Sequence, residues 1–255
     1  MPSTPSRPPP PPDTLTSTDA ARFALAELLP TQGAGEAEMG QLERLVTMRI
    51  QVPRGAALFR TGEHFEAVYA IRSGFFKTRM ILEDGREHVT GFQMAGEYLG
   101  LEGFGMDCHA CDAVALEDSE VCVIPRGGLE RLSREMKGVQ RQFHRVMGRE
   151  IVRDHRIMML LGSRRGEERL AAFLINLAER FEARGLSSTL LMLRMTREEI
   201  GTYLGLKLET VSRYFSKFQD DGLLTVNHRR IELLDKSRLK AIVDGVRGAD
   251  RKLST

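Results

Sequence analysis

The sequence predicts an α+β chain in three successive parts: an antiparallel β-roll of the jelly-roll type, a long helix suited to a two-stranded coiled coil, and a C-terminal winged helix-turn-helix. Three observations carry this prediction. Between about residues 51 and 125, short runs rich in Val, Ile, Phe and Tyr are broken by Gly55, Gly62, Gly74, Gly85, Gly91 and Gly96, the rhythm of a small antiparallel barrel or roll. Further along, His144, Met147, Ile151, Asp154, Met158 and Leu161 recur at alternating spacings of three and four, which is a seven-residue repeat. Residues 196–233 then read as a capped helix, a glycine turn, a second helix and a hairpin.

At the start of the chain, seven of the ten prolines fall within the first dozen residues. Residues 1–19 are expected to be a disordered tail, acting as a plain extension or as a polyproline ligand. The sensor-like roll is assigned to 20–130, the long helix to 131–163, the winged helix-turn-helix to 164–240, and a second tail to 241–255. The 255 residues, 42% of them hydrophobic, suffice for two modest cores. No apolar run approaches the ~18 residues that span a bilayer, and no signal-peptide pattern opens the chain. Three cysteines, an odd number, fit reduced thiols. These features predict a soluble cytoplasmic protein with no membrane partner. The net charge of +2 excludes little, and residues 194–235 are neutral, with seven basic residues against seven acidic ones. Nucleic-acid binding must therefore be argued from arrangement rather than from charge.

The long helix is basic along its flanks, with 12 Arg and Lys against 6 acids over residues 126–169. Asp154 is the irregular member of its seam. In a parallel symmetric dimer it would face its own copy, and two carboxylates repel. Either Arg153 or another basic neighbour neutralises it, or a separate signal does the switching.

In the C-terminal part, Thr196 and Glu199 have the spacing of a capping box, so a helix carrying Ile200, Tyr203 and Leu204 should begin there. Gly205 supplies the interhelical turn. A second helix is expected from 207 or 208 to 220, burying Val211, Tyr214, Phe215 and Phe218. That burial directs Glu209, Ser212, Arg213 and Lys217 outward. In a major groove an Arg can donate two hydrogen bonds to guanine, a Glu can accept from cytosine N4, and a Ser can do either. Glu209, Ser212 and Arg213 are therefore the candidate base readers. Thr196, Arg197, Lys217, His228 and Arg229 are candidates for backbone phosphates. After Gly222, runs 223–226 and 230–233 flank residues 227–229 as a wing.

The run IGTYLGLKLETVSRYFSKFQDDGLL resembles the DNA-binding helices of the FNR branch of the CRP/FNR transcription factors, with Glu-Thr-Val-Ser-Arg at 209–213 as its most specific part. EERLAAFLINLAERF at 167–181 resembles that family's helix joining the dimer helix to the DNA-binding domain, and ALEDSEVCVIPR at 115–126 resembles the end of its sensor domain. The likeness covers roughly residues 40–235. It implies a homodimeric regulator, more an activator than a repressor, that reads a TTGAT-N4-ATCAA palindrome through Glu209, Ser212 and Arg213. It also implies a cyclic-nucleotide-binding-like roll, RNA polymerase as partner (one contact falling on the loop 83–86), and an aspartate at the position of Asp154 that holds the effector-free protein toward monomer.

The sequence departs from the family in its effector region. Cyclic-AMP-binding members continue from the position of Gly96 and Glu97 to an Arg-Ser pair that holds the phosphate. Here the corresponding stretch is Met106-Asp107-Cys108-His109-Ala110-Cys111-Asp112, without an arginine. The branch's oxygen-labile [4Fe-4S] cluster takes three ligands from an N-terminal cysteine group and a fourth at the position of Cys122. Cys122 is present, but the segment before Leu29 has no cysteine. No cofactor is expected. The alternative is a redox, metal, haem or iron-sulfur site using Cys108, Cys111 and Cys122, with His64, His88 or His109 as further ligands. Two rivals from other classes remain: a thiol oxidoreductase using Cys108 and Cys111, and a module whose winged helix binds protein.

Overall fold

The structure is a computed structural model, and it describes Leu45 and residues 48–245. The proline-rich tail and the cysteine-free segment before Leu29 lie outside the described residues. The first half is a β-roll of two four-stranded sheets. One has the order β1 (Met48–Val52), β8 (Ser119–Pro125), β3 (Ala67–Ser73), β6 (Tyr98–Leu99). The other runs β2 (Ala57–Phe59), β7 (Asp112–Ala115), β4 (Phe75–Ile81), β5 (Glu87–Met94). All neighbours are antiparallel. Ile71, Phe76, Leu99, Ala113 and Val121 are buried together between the sheets.

The glycine breaks hold with one exception. Gly55, Gly62, Gly74, Gly85 and Gly96 all take positive φ. At Gly74, which links β3 to β4, a Cβ would stand 2.0 Å from the Ser119 hydroxyl, so the turn has room only for glycine. Gly91, expected as a break, instead lies inside β5. There the ladder to β4 shifts register between Thr78 and Arg79, so this glycine marks a bulge and not a strand end.

The long helix also differs from expectation at its start. Met136 is extended (φ −124°, ψ 101°) and divides a short helix α1 (Arg126–Glu135) from α2 (Lys137–Ser163). The regular helix therefore begins at Lys137 and not at 131. Its only buried residues are Val139, Gln142, Val146 and Leu160.

Helix α3 (Gly166–Glu182) leads into the C-terminal part: β9 (Leu190–Met192), α4 (Arg197–Leu204), α5 (Leu208–Asp220), β10 (Leu224–Asn227), β11 (Arg230–Leu233) and α6 (Lys236–Val243). The Asp235 side chain accepts from the Arg238 amide and starts α6, and Leu239 is buried, so the chain stays folded past the expected boundary at 240. One apolar cluster joins Phe75, Val89, Phe92, Met94 and Leu116 of the roll to the core of α3, α4 and α5. The two halves are thus packed on each other.

Candidate nucleic-acid interface

The helix-turn-helix begins as its residues dictate. The Glu199 amide donates to Thr196 Oγ1 at 3.1 Å, and the Thr196 amide donates to Glu199 Oε2 at 2.7 Å, so both halves of the capping box form. Gly205 closes α4 in the left-handed region (φ 63°). A second glycine matters as much and was not singled out from sequence. At Gly201 a Cβ would lie 2.6 Å from the Leu206 carbonyl, whose residue's own amide donates to Gly201 O at 2.8 Å. The close packing of the turn on α4 depends on it.

Helix α5 buries Val211, Phe215 and Phe218 against Ile200 and Leu204, with Tyr214 half-buried. Glu209, Ser212 and Arg213 stand exposed on the opposite face, within about one turn of one another. The Arg213 guanidinium is 5.7 Å from the neighbouring Tyr214 ring. At the C-terminus of α5, Gly222 (φ 67°) takes the left-handed position and the Leu223 amide reaches back to Phe218 O. The wing is a two-residue connection, His228 and Arg229, between paired Asn227 and Arg230. His228 takes φ 54°, and both tip side chains are exposed. Sequence reasoning missed the third strand, β9, which pairs with β11. It is three residues long, too short for a periodic signal.

The remaining candidates are held in different ways. Thr196 spends its hydroxyl on the cap. The Arg197 guanidinium lies 3.7 Å over the Phe215 ring, and burial lowers its pKa from the usual arginine value. Lys217 is exposed but ion-paired with Glu167 at 2.6 Å.

In α2, the isolated protomer exposes Ile151 (54%) and Met158 (60%). Val152 (48%) and Met159 (69%), not read from sequence, form a parallel row with the same seven-residue spacing. His144 and Asp154 are exposed, and Met147 and Leu161 are half-buried. Arg153, the named neutraliser of Asp154, pairs with Glu150 at 2.7 Å.

In the effector region the candidate ligands of the alternative metal site are spread over several elements. Cys122 lies in β8, in the apolar cluster with Leu45, Ala70 and Leu129, whereas Cys111 belongs to the cluster between the sheets. His88 sits on β5 opposite Met80, and the backbone of His64 pairs with that of Cys108 in an isolated antiparallel bridge. Among the described residues, no three His, Cys, Asp or Glu side chains converge to hold a metal ion. Four thiolates are needed for the branch's cluster, and the chain has three cysteines, of which Cys111 and Cys122 lie in different apolar clusters. The donors therefore do not fit that group. His109 is buried and stacks on Phe59 at 3.7 Å, with Nδ1 3.2 Å from Glu102 Oε1. Burial first, then Glu102 and Asp112, push the Cys111 thiol up to about 12.

Two family models match the chain: a cyclic nucleotide-binding domain over residues 49–136 and a Crp-like helix-turn-helix domain over residues 168–242. The transcriptional regulatory protein Btr of Bordetella pertussis is 47% identical over 206 residues, covering 81% of this chain and 85% of that one. The chain belongs to the CRP/FNR family of transcription regulators. Other relatives agree. The transcriptional activator Anr of Pseudomonas aeruginosa is 41% identical across 82% of this chain and 85% of its own. Among solved structures, FixK2 of Bradyrhizobium japonicum superposes with a TM-score of 0.71 at 30% identity, covering 76% of this chain and 95% of that one. As a CRP/FNR regulator, the protein binds DNA through the helix-turn-helix at α4 and α5. Among the described residues, no helix is long and apolar enough to cross a membrane.

Proposed function

We propose that the protein is a homodimeric, non-enzymatic transcription activator of the cytoplasm that reads an FNR-type palindrome, TTGAT-N4-ATCAA. The observation that carries this reading is the joint exposure of Glu209, Ser212 and Arg213 on the outer face of α5. Each protomer inserts α5 into the major groove of one half-site, and the half-sites lie about one DNA turn apart. The wing residues His228 and Arg229 lie against the flanking backbone. Dimerisation runs along α2 through His144, Met147, Ile151, Asp154, Met158 and Leu161, extended by the exposed Val152 and Met159. RNA polymerase is contacted through the hairpin loop 83–86, whose Asp84 and Arg86 pair at 2.6 Å.

The roll binds neither cyclic nucleotide nor a [4Fe-4S] cluster in this reading. Residues 100–112 contain no Lys or Arg to meet a cyclic phosphate, and Glu102 adds a carboxylate there. Fluorescence anisotropy on the palindrome tests the reading. Arg213→Ala should cost about 1–3 kcal/mol on that duplex and relax preference at the guanine it reads. Lys217→Ala should weaken all sequences alike and flatten the salt dependence. Equal losses on specific and random DNA for Arg213→Ala would remove the base-reading role.

A further inference from the structure

Lys77 lies on β4 of the roll, is almost wholly buried, and points at the DNA-binding half. Its ammonium donates to Glu199 Oε1 at 2.9 Å and to Glu87 Oε1 at 2.5 Å. Glu199 is the capping residue of α4, and its second oxygen holds the Thr196 amide. The same division continues through the roll. The second oxygen of Glu87 accepts from Arg79 at 2.5 Å, and Arg79 Nε donates to Asp112 Oδ2 at 3.2 Å. The other oxygen of Asp112 accepts from the amide and hydroxyl of Thr61. Charges therefore alternate without a gap from Asp112, beside Cys111, to the first helix of the helix-turn-helix. Each carboxylate is shared between two donors.

Apolar packing follows the same seam. Phe92 of β5, Phe173 of α3 and Tyr203 of α4 form a mutual edge-on triad with centroids 5.2–6.0 Å apart. The contact leaves Glu209, Ser212 and Arg213 uncovered. A masking contact would bury those side chains, whereas this one fixes the helix that carries the turn and leaves the reading face open.

We propose that Lys77 is a positioning residue for DNA reading: it clamps the capped end of α4 to the roll, and the relay Asp112–Arg79–Glu87–Lys77 makes the clamp responsive to the loop 107–112. A docked reading head loses its orientational freedom before DNA arrives, so two heads on one dimer meet both half-sites at a smaller entropic cost. The clamp therefore acts on the palindrome more than on a single half-site. Burial works against the Lys77 ammonium, but its bonds to Glu199 and Glu87 outweigh it and raise its pKa, so the lysine is charged throughout the neutral range.

The test uses the full-length chain with Lys77→Met, Lys77→Arg, Glu199→Gln and the Lys77→Met/Glu199→Gln pair. Glutamine at 199 still accepts from the Thr196 amide, so the cap survives while the ion pair is lost. Affinities are measured for the palindrome and for a duplex with one half-site, and amide exchange is followed in Arg197–Leu204 without DNA. Lys77→Met and Glu199→Gln should each weaken palindrome binding roughly 5- to 20-fold. The double variant should lose no more than either single one. Lys77→Arg should restore binding, and Lys77→Met should leave half-site affinity within about twofold and speed exchange in α4. Arg79→Met, one link further away, should lose a smaller part. Unchanged or tighter palindrome binding, additive losses, or equal losses on both duplexes would overturn the clamp. The proposal rests on the dimeric reading. If the wild type shows no preference for the palindrome, that reading has failed by itself, and unaltered exchange in Lys77→Met then overturns the clamp independently.

Discussion

One carboxylate of the roll, Glu97, is held by two arginines at the C-terminal end of the neighbouring helix. In this fold it turns outward to α3, where Arg180 reaches it at 2.6 and 3.0 Å and Arg184 at 2.8 Å. The same two guanidiniums donate to the carbonyls of Phe92 and Ala95. Burial by itself would push the Glu97 carboxyl up, but Arg180 and then Arg184 outweigh it and hold it at about 2, below the ordinary 4.5. Because the folded pKa is depressed, the carboxylate contributes stability above about pH 4.5, and that contribution is lost as pH falls toward 2. Glu97→Gln removes the carboxylate that Arg180 and Arg184 share and should cost about 3–5 kcal/mol at neutral pH. Urea denaturation at pH 7 and pH 3 checks it: the gap between wild type and variant should narrow at the lower pH. A gap that stays constant would mean that the charge of Glu97 does not carry the effect.

At the scale of elements, what was legible in the sequence was local. The Thr196–Glu199 cap, the Gly205 turn and the bounds of α5 follow from residues within a few positions of each other. The exposed set Glu209, Ser212 and Arg213 follows from helical spacing alone. The unread features depend on contacts between distant segments: β9 needs β11 to exist as a strand, Gly201 matters because of the Leu206 carbonyl, and Glu97 meets partners more than 80 residues away. The break at Met136 was hidden because its immediate neighbours, Glu135 and Lys137, are good helix formers. The α2 seam was read as a single row, whereas the structure exposes a second in Val152 and Met159. Asp154 is exposed beside this surface, and its nearest named cation, Arg153, is taken by Glu150. Asp154→Ala should therefore lower the dimer dissociation constant about tenfold, or ~1.4 kcal/mol, and tighten DNA binding in parallel. Ile151→Asp should do the reverse by adding a second like-charge pair. Sedimentation velocity at low protein concentration decides: an Asp154→Ala protein no more dimeric than wild type would place Asp154 off the seam.

For the whole molecule, the question is what signal the roll delivers to the reading heads. The family's fold runs from β1 to α6, and Cys122, the cysteine that the resemblance sets at a cluster-ligand position of the FNR branch, is buried in β8. Cys111 is enclosed between the sheets, where burial, Glu102 and Asp112 push its thiol up to about 12, the opposite of an activated nucleophile. In the reading proposed here, a switch built on the loop 107–112 acts by moving Asp112 and the ion-pair chain beyond it. Protein prepared under strict anoxia should accordingly contain far less than one cluster's worth of iron, and its affinity for the palindrome should change less than about twofold on exposure to air. Cys108→Ser combined with Cys111→Ser should bind DNA like the wild type under both reducing and oxidising conditions. Iron analysis, an absorption spectrum and anisotropy titrations read all of these. Stoichiometric iron in the anoxic protein, or a redox-dependent affinity that vanishes in the double variant, would make the cysteine loop itself the sensor.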